Sequence, residues 1–75
     1  MNNTYFVTWD EYKNRMSYAR IRCVLGSSVK QVREDIVNPE QDERRRQGKP
    51  HMFHVTITRR RPADAERRTK GHFYY

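Results

Sequence analysis

Several things are scarce in this chain, and each scarcity removes a class of protein. Cys23 is the only cysteine, so no disulfide can form within the chain and no site that needs several thiolates can be built. No apolar run approaches the length of a membrane span or of a signal-peptide core. A cytoplasmic protein with no membrane partner is therefore expected. The chain has 75 residues, and a domain of this size buries only about 60% of the surface its unfolded form exposes. That leaves little material for a cleft lined by many converging catalytic groups. A glycine-rich phosphate loop, a nucleophile elbow and a credible Ser/His/Asp set are all missing. Acids are also outnumbered, nine against sixteen basic residues.

What is present is aromatic and arginine-rich. Five Tyr, three Phe and one Trp are more than a disordered chain normally carries, so residues 1–75 are read as a single small folded domain. The net charge is +7, and it is unevenly placed. Residues 49–75 hold seven basic and two acidic groups, which accounts for +5 of it. Twelve of the sixteen basic residues are arginine, whose planar fork suits phosphate, carboxylate and aromatic faces. An acidic partner follows, with nucleic acid first and an acidic protein face second.

The hydrophobic pattern predicts an α+β fold. Thr4–Trp9 and Ser17–Leu25 alternate as strands, with DEYKNRM between them as a hairpin connection. In the second strand Ala19, Ile21, Cys23 and Leu25 form an apolar face, opposite Tyr18, Arg20 and Arg22. Val29, Val32, Ile36 and Val37 then recur at helical spacing. Ser28 is placed as N-cap with Gln31 completing a capping box, and Pro39 is expected to end or kink the helix. Residues 38–50 are polar, either an ordered loop or a short exposed helix ending at Gly48. A third strand carries Phe53, Val55 and Ile57 inward, with His54, Thr56 and Thr58 outward. Residues 61–71 are read as a polar basic loop, and HFYY as a candidate fourth strand. The expected order is β-β-α-β(-β): an antiparallel sheet of three or four strands with one helix on one face.

On this reading the helix covers Ala19, Ile21, Cys23, Leu25, Phe53, Val55, Ile57 and Val7. The uncovered face then shows Phe6, Tyr18, Arg20, Arg22, His54 and Thr56. Rings interleaved with arginines on a sheet suit single-stranded nucleic acid, DNA or RNA, because bases stack on the rings while guanidinium groups meet phosphates. In its logic this resembles the RNA-recognition-motif sheet, although that family's glycine-and-aromatic signature is absent and the element order differs. Phe6 and Tyr18 are the candidate stacking residues. Arg20, Arg22, Arg59, Arg60 and Arg61 are the candidate phosphate contacts, with His54, Arg67, Arg68 and Lys70 beside them. Arg59–Arg61 should mark the rim of the sheet, since Pro62 cannot continue a central strand. By contrast, Arg44–Arg46 are expected to neutralise Glu40, Asp42 and Glu43 locally.

Two metal-like fragments do not hold up. His51 and His54 are three apart on a strand and point to opposite faces. Glu11 and Lys13 spell an E-x-K fragment, but the nine residues before DEYK supply no carboxylate from an adjoining strand to hold a cation with it. No metal or cofactor is therefore expected, and no catalytic residue is assigned. The leading expectation is a non-enzymatic protein whose arginine-rich surface engages nucleic acid or a nucleoprotein complex. In size and charge the chain also resembles phage- or plasmid-type inhibitors and adaptors, of which anti-CRISPR proteins are one example. A small metal-free ribonuclease toxin is the third reading, with His54 or His72 moving the proton of a 2′-hydroxyl. Dimerisation through an exposed strand edge is possible in principle.

Overall fold

The computed structural model describes residues 2–73. The fold is α+β, a four-stranded sheet with one helix on one face, and its elements follow the expected order β-β-α-β. Strands β1 (Asn3–Lys13) and β2 (Met16–Gly26) form a long antiparallel hairpin. Asn14 and Arg15 make its turn, with φ of 52° and 66°. Two successive left-handed residues define the hairpin turn whose twist matches the flanking strands. From that turn the register runs without a break, Lys13 opposite Met16 through to Asn3 opposite Gly26.

This register corrects the expected faces. Val7 lies opposite Arg22 and Trp9 opposite Arg20, whereas Phe6 lies opposite Cys23 and Thr8 opposite Ile21. Directly paired residues share a face. The apolar stripe Ala19, Ile21, Cys23 and Leu25 therefore stands on the side away from the helix, and Tyr18, Arg20 and Arg22 stand on the helix side. Leu25 is 66% exposed, so it takes no part in the core. Segment DEYK is not loop but the end of β1, and the shortness of the turn inverts the assignment.

Strand β3 (Phe53–Thr58) pairs antiparallel with the other edge of β1. Between Thr8/Thr56 and Asp10/Phe53 it uses one more residue than β1 does, a bulge centred on His54, whose φ is 54°. Val55 and Ile57 face inward as expected. The bulge turns Phe53 out to meet Tyr12 edge-on, with ring centroids 5.1 Å apart. The strand ends at Thr58, so Arg59–Arg61 do sit at the rim.

The helix, α1, spans residues 29–47 in three pieces: α-helical Val29–Val32, a π segment Arg33–Val37, and α-helical Asn38–Gln47. Ser28 caps the helix as expected, its Oγ accepting from the Gln31 amide, while Gln31 Oε1 reaches one residue beyond the capping-box position to accept from the Ser27 amide, both at 3.0 Å. Pro39 does not end the helix. It has no amide to donate and would crowd the carbonyl four residues back. The wider π turn just before it, where the Asn38 amide donates to the Arg33 carbonyl, accommodates this. Residues 38–47 are thus helix rather than loop, and Gly48 closes it with φ 69°.

The fourth strand of the described residues precedes HFYY, of which His72 and Phe73 are not strand. It is β4 (Thr69–Lys70), pairing parallel with β2 at Arg20 and Ile21, which makes the sheet mixed, in the order β3-β1-β2-β4. To reach it, residues 59–68 cross the face opposite the helix and bury Ala65 on a 3₁₀ turn, Ala65–Arg67. Segment 61–71 is therefore a structured crossover. The chain then passes the sheet edge: the His72 carbonyl accepts from Arg44 and the Phe73 ring stacks on Trp9 on the helix side, and Tyr74 and Tyr75 lie outside the described residues. The core holds Tyr5, Val7, Trp9, Val32, Val37, Met52 and Ile57, with Val24, Ile36, Val55 and Phe73 packed against it.

The helix side also buries charge. Arg44, 1% exposed, donates to Glu40 at 2.9 Å, Glu11 at 2.7 Å, and the carbonyls of Pro50 and His72 at 2.9 Å. The Trp9 indole donates to the same Glu11 oxygen at 2.9 Å. Arg44 also lies 5.6 Å over the Trp9 ring, and Phe73 stacks on that ring at 5.9 Å. One guanidinium thus ties β1, α1, the approach to β3 and the C-terminal segment together. Burial alone would raise the Glu11 carboxyl. Hydrogen bonds from Trp9 and Arg44 and the charges of Arg44 and Arg20 outweigh it and hold Glu11 below the usual carboxylate range.

Candidate nucleic-acid interface

The face away from the helix carries two adjoining hollows that share Arg61. The first, about 560 Å³, has Phe6, Ile21 and Cys23 from β1 and β2 in its lining, with Ala65, Arg61 and Lys70 from the crossover, and Arg22 and His72. Ile21 and Cys23 are there because of the hairpin register. The second, about 470 Å³, is lined by Thr8, Thr56, Thr58 and His54 from the sheet and by Arg60, Arg61, Pro62, Asp64 and Arg68 from the crossover.

The first hollow is electrostatically one-sided. Arg22, Arg61 and Lys70 all line it, and among the described residues no carboxylate does. Arg22 reaches it from the helix side of β2, with its guanidinium 4.5 Å from the Phe73 ring centroid. Grouped cations without acids raise a local positive potential that an anionic ligand relieves. In the second hollow Arg60 and Arg61 are exposed, while Arg68 is bound. Arg68 donates to Asp64 at 2.9 Å and to the carbonyls of Trp9 and Arg20 at 3.2 and 3.3 Å, and its charge meets Asp10 at 3.5 Å. It pins the crossover to the sheet.

The anticipated binding residues therefore separate. Phe6, Arg22, Arg61 and Lys70 converge on one hollow, and His54, Arg60, Arg61 and Arg68 on the other. Tyr18 and Arg20 belong to neither. Arg20 lies 5.4 Å from the Tyr18 ring and pairs with Glu11 at 3.5 Å; both line a separate hollow at the hairpin end. Arg59 turns back to Asn3, donating at 3.1 Å. Arg67 stands exposed on the 3₁₀ turn and lines neither hollow. Sequence reasoning overlooked Asp10, Ala65 and Cys23 here, because the register and the crossover that expose them are long-range features.

His54 donates from Nδ1 to Asp10 at 3.0 Å, and His51 packs edge-on against Phe53 with centroids 4.6 Å apart. Glu11 of the E-x-K fragment is fully engaged by Arg44, Trp9 and Arg20. Among the described residues no three His, Cys, Asp or Glu side chains cluster as metal ligands, and no helix is long and apolar enough to cross a membrane. Compared with known proteins, the chain matches no family model, and no curated protein and no solved structure is significantly similar to it.

Proposed function

We propose that the face opposite the helix binds single-stranded nucleic acid. The observation that carries this reading is the first hollow: an aromatic ring, Phe6, beside three cations, Arg22, Arg61 and Lys70, with no acid among the described residues that line it. A base stacks on the ring while the cations meet the flanking phosphates, and such contacts tolerate any sequence. Arg60 and Arg61 extend the basic track into the second hollow.

Anisotropy titration with labelled single-stranded oligonucleotides across a salt series tests it. Binding should tighten at low salt, and the slope of log K against log salt should be about −0.7 per phosphate contact. Arg61→Ala and Lys70→Ala should each remove roughly one contact from that slope. Affinity weaker than about 10⁻⁴ M at low salt, or a flat slope, rejects the reading.

One other observation supports a protein partner, as an inhibitor or adaptor would have. Tyr12 and Phe53, 50% and 40% exposed, form an aromatic patch with His51 at the end of the sheet, and exposed rings are favoured anchors at protein interfaces. Capture from lysate with and without nuclease separates the readings. A protein retained through nuclease treatment and lost in Phe53→Ala favours the second.

A further inference from the structure

His54 is the one residue of β3 with a left-handed backbone, a conformation uncommon outside glycine. Such outliers cluster at functional sites. Here the bulge carries the imidazole across to β1, where Nδ1 meets Asp10 Oδ2 at 3.0 Å. The other oxygen of Asp10 faces Arg68 at 3.5 Å, and Arg68 is itself held by Asp64 at 2.9 Å. Both carboxylate oxygens are thus occupied and the ring is held in one orientation. A carboxylate accepts, so in a neutral ring the proton sits on Nδ1 and the lone pair is on Nε2. The side chain remains 70% exposed and lines the hollow shared with Arg60 and Arg61.

A base oriented by a carboxylate beside two cations is the arrangement that general-base phosphate chemistry needs. It lacks a nucleophile of its own. Thr56 hydrogen-bonds to Thr8, and Thr58 donates to the Arg60 carbonyl at 2.8 Å. The nucleophile must then come with the substrate, and RNA supplies one in its 2′-hydroxyl.

We propose that this hollow cleaves single-stranded RNA by transesterification, an activity that rests on the nucleic-acid reading of the face and goes beyond it. Nε2 of His54 takes the proton of a 2′-hydroxyl as the 2′ oxygen bonds to the adjacent phosphorus. The bond from phosphorus to the 5′ oxygen breaks, and that oxygen takes a proton from water. Arg60 and Arg61 stabilise the negative charge gathered on the phosphoryl oxygens. The imidazolium returns its proton to solvent, leaving a 2′,3′-cyclic phosphate and a 5′-hydroxyl. His54 is the catalytic base and Asp10 a positioning residue.

The full chain is incubated with a labelled single-stranded RNA and with the same sequence fully 2′-O-methylated, and the products are resolved by gel and mass spectrometry. The RNA should be cut to cyclic-phosphate ends, while the methylated oligomer is bound and stays intact. His54→Ala should slow cleavage about 10²-fold or more. Because alanine fits the left-handed position poorly, His54→Asn serves as a second variant: asparagine tolerates that backbone but is no base. Asp10→Asn should lose cleavage without weakening the methylated oligomer's binding, and Asp10→Glu should recover part of it. Intact RNA alongside a bound methylated oligomer overturns catalysis and leaves binding standing. Cleavage undiminished in both His54 variants overturns it too. If neither oligomer binds and no RNA is cut, both proposals fall.

Discussion

The chain contains the tripeptide RRR twice, at Arg44–Arg46 and at Arg59–Arg61, and the two meet opposite fates. In α1 each arginine finds an acid three or four residues earlier: Arg44 with Glu40, Arg45 with Asp42, Arg46 with Glu43. Helical spacing puts those positions side by side. At the end of β3 no such neighbours exist. Arg59 turns to Asn3, and Arg60 and Arg61 line hollows on the far face. Local periodicity, not composition, decides whether a run of arginine is neutralised or left to meet something else. Within the first triplet position matters again, since Arg44 alone points into the core.

The comparison is broken most directly by removing one arginine from each triplet. Arg44→Ala removes the buried cation that Glu11 and Glu40 share, and breaking a buried pair costs about 3–5 kcal/mol. That is a large part of the roughly 5–15 kcal/mol that holds a domain together. Arg61→Ala should change stability by less than about 0.5 kcal/mol while weakening oligonucleotide binding. Urea unfolding followed by fluorescence of Trp9, the only tryptophan, reads both. Equal midpoints for the two variants would erase the distinction between the triplets.

Acid sharpens the same contrast. Glu11 is held below its ordinary range, because hydrogen bonds and the Arg44 and Arg20 charges overcome the opposing effect of burial. The unfolded chain has a glutamate pKa of about 4.3. With the folded value lower, the ionised carboxylate adds stability above that pH. The contribution is lost as pH falls through the folded value. Wild type should therefore outlast Glu11→Gln in urea at pH 7, and the gap should close as the pH is taken below about 4. A gap that stays constant down to the acid transition would mean the Glu11 charge does not contribute.

Much of the fold was legible because it is local. The Tyr5, Val7 and Trp9 alternation, the Ser28 and Gln31 cap and the Gly48 stop each depend on residues within a few positions. The stripe Ala19, Ile21, Cys23 and Leu25 was also visible, but its direction was not. That depended on a two-residue turn at Asn14 and Arg15, which lacks the glycine that usually announces one. The His54 bulge has no glycine marker either, so Phe53 was assigned inward. At the site, Phe6, Arg22, Arg60, Arg61 and Lys70 could be named from charge and pattern. Asp10 could not, since its partnership with His54 spans 44 positions. Nor could the burial of Arg44, whose partner Glu11 lies 33 positions away.

The smallest effect separates the exposed members of the first triplet from everything else. Arg45 and Arg46 keep 77% and 73% of their side-chain surface in solvent, where water and salt screen the attraction to Asp42 and Glu43. Pairs of this kind are worth about 0.2–1 kcal/mol at most, and each side chain gives up rotamer freedom to form one. The double variant Arg45→Ala, Arg46→Ala should therefore shift the urea midpoint little, and any loss should fade in high salt. Oligonucleotide affinity at low salt should drop only slightly, as expected for charges outside the two hollows. If this variant lost as much binding as Arg60→Ala with Arg61→Ala, net charge rather than the open face would govern association. The interface would then have to be redrawn around the helix.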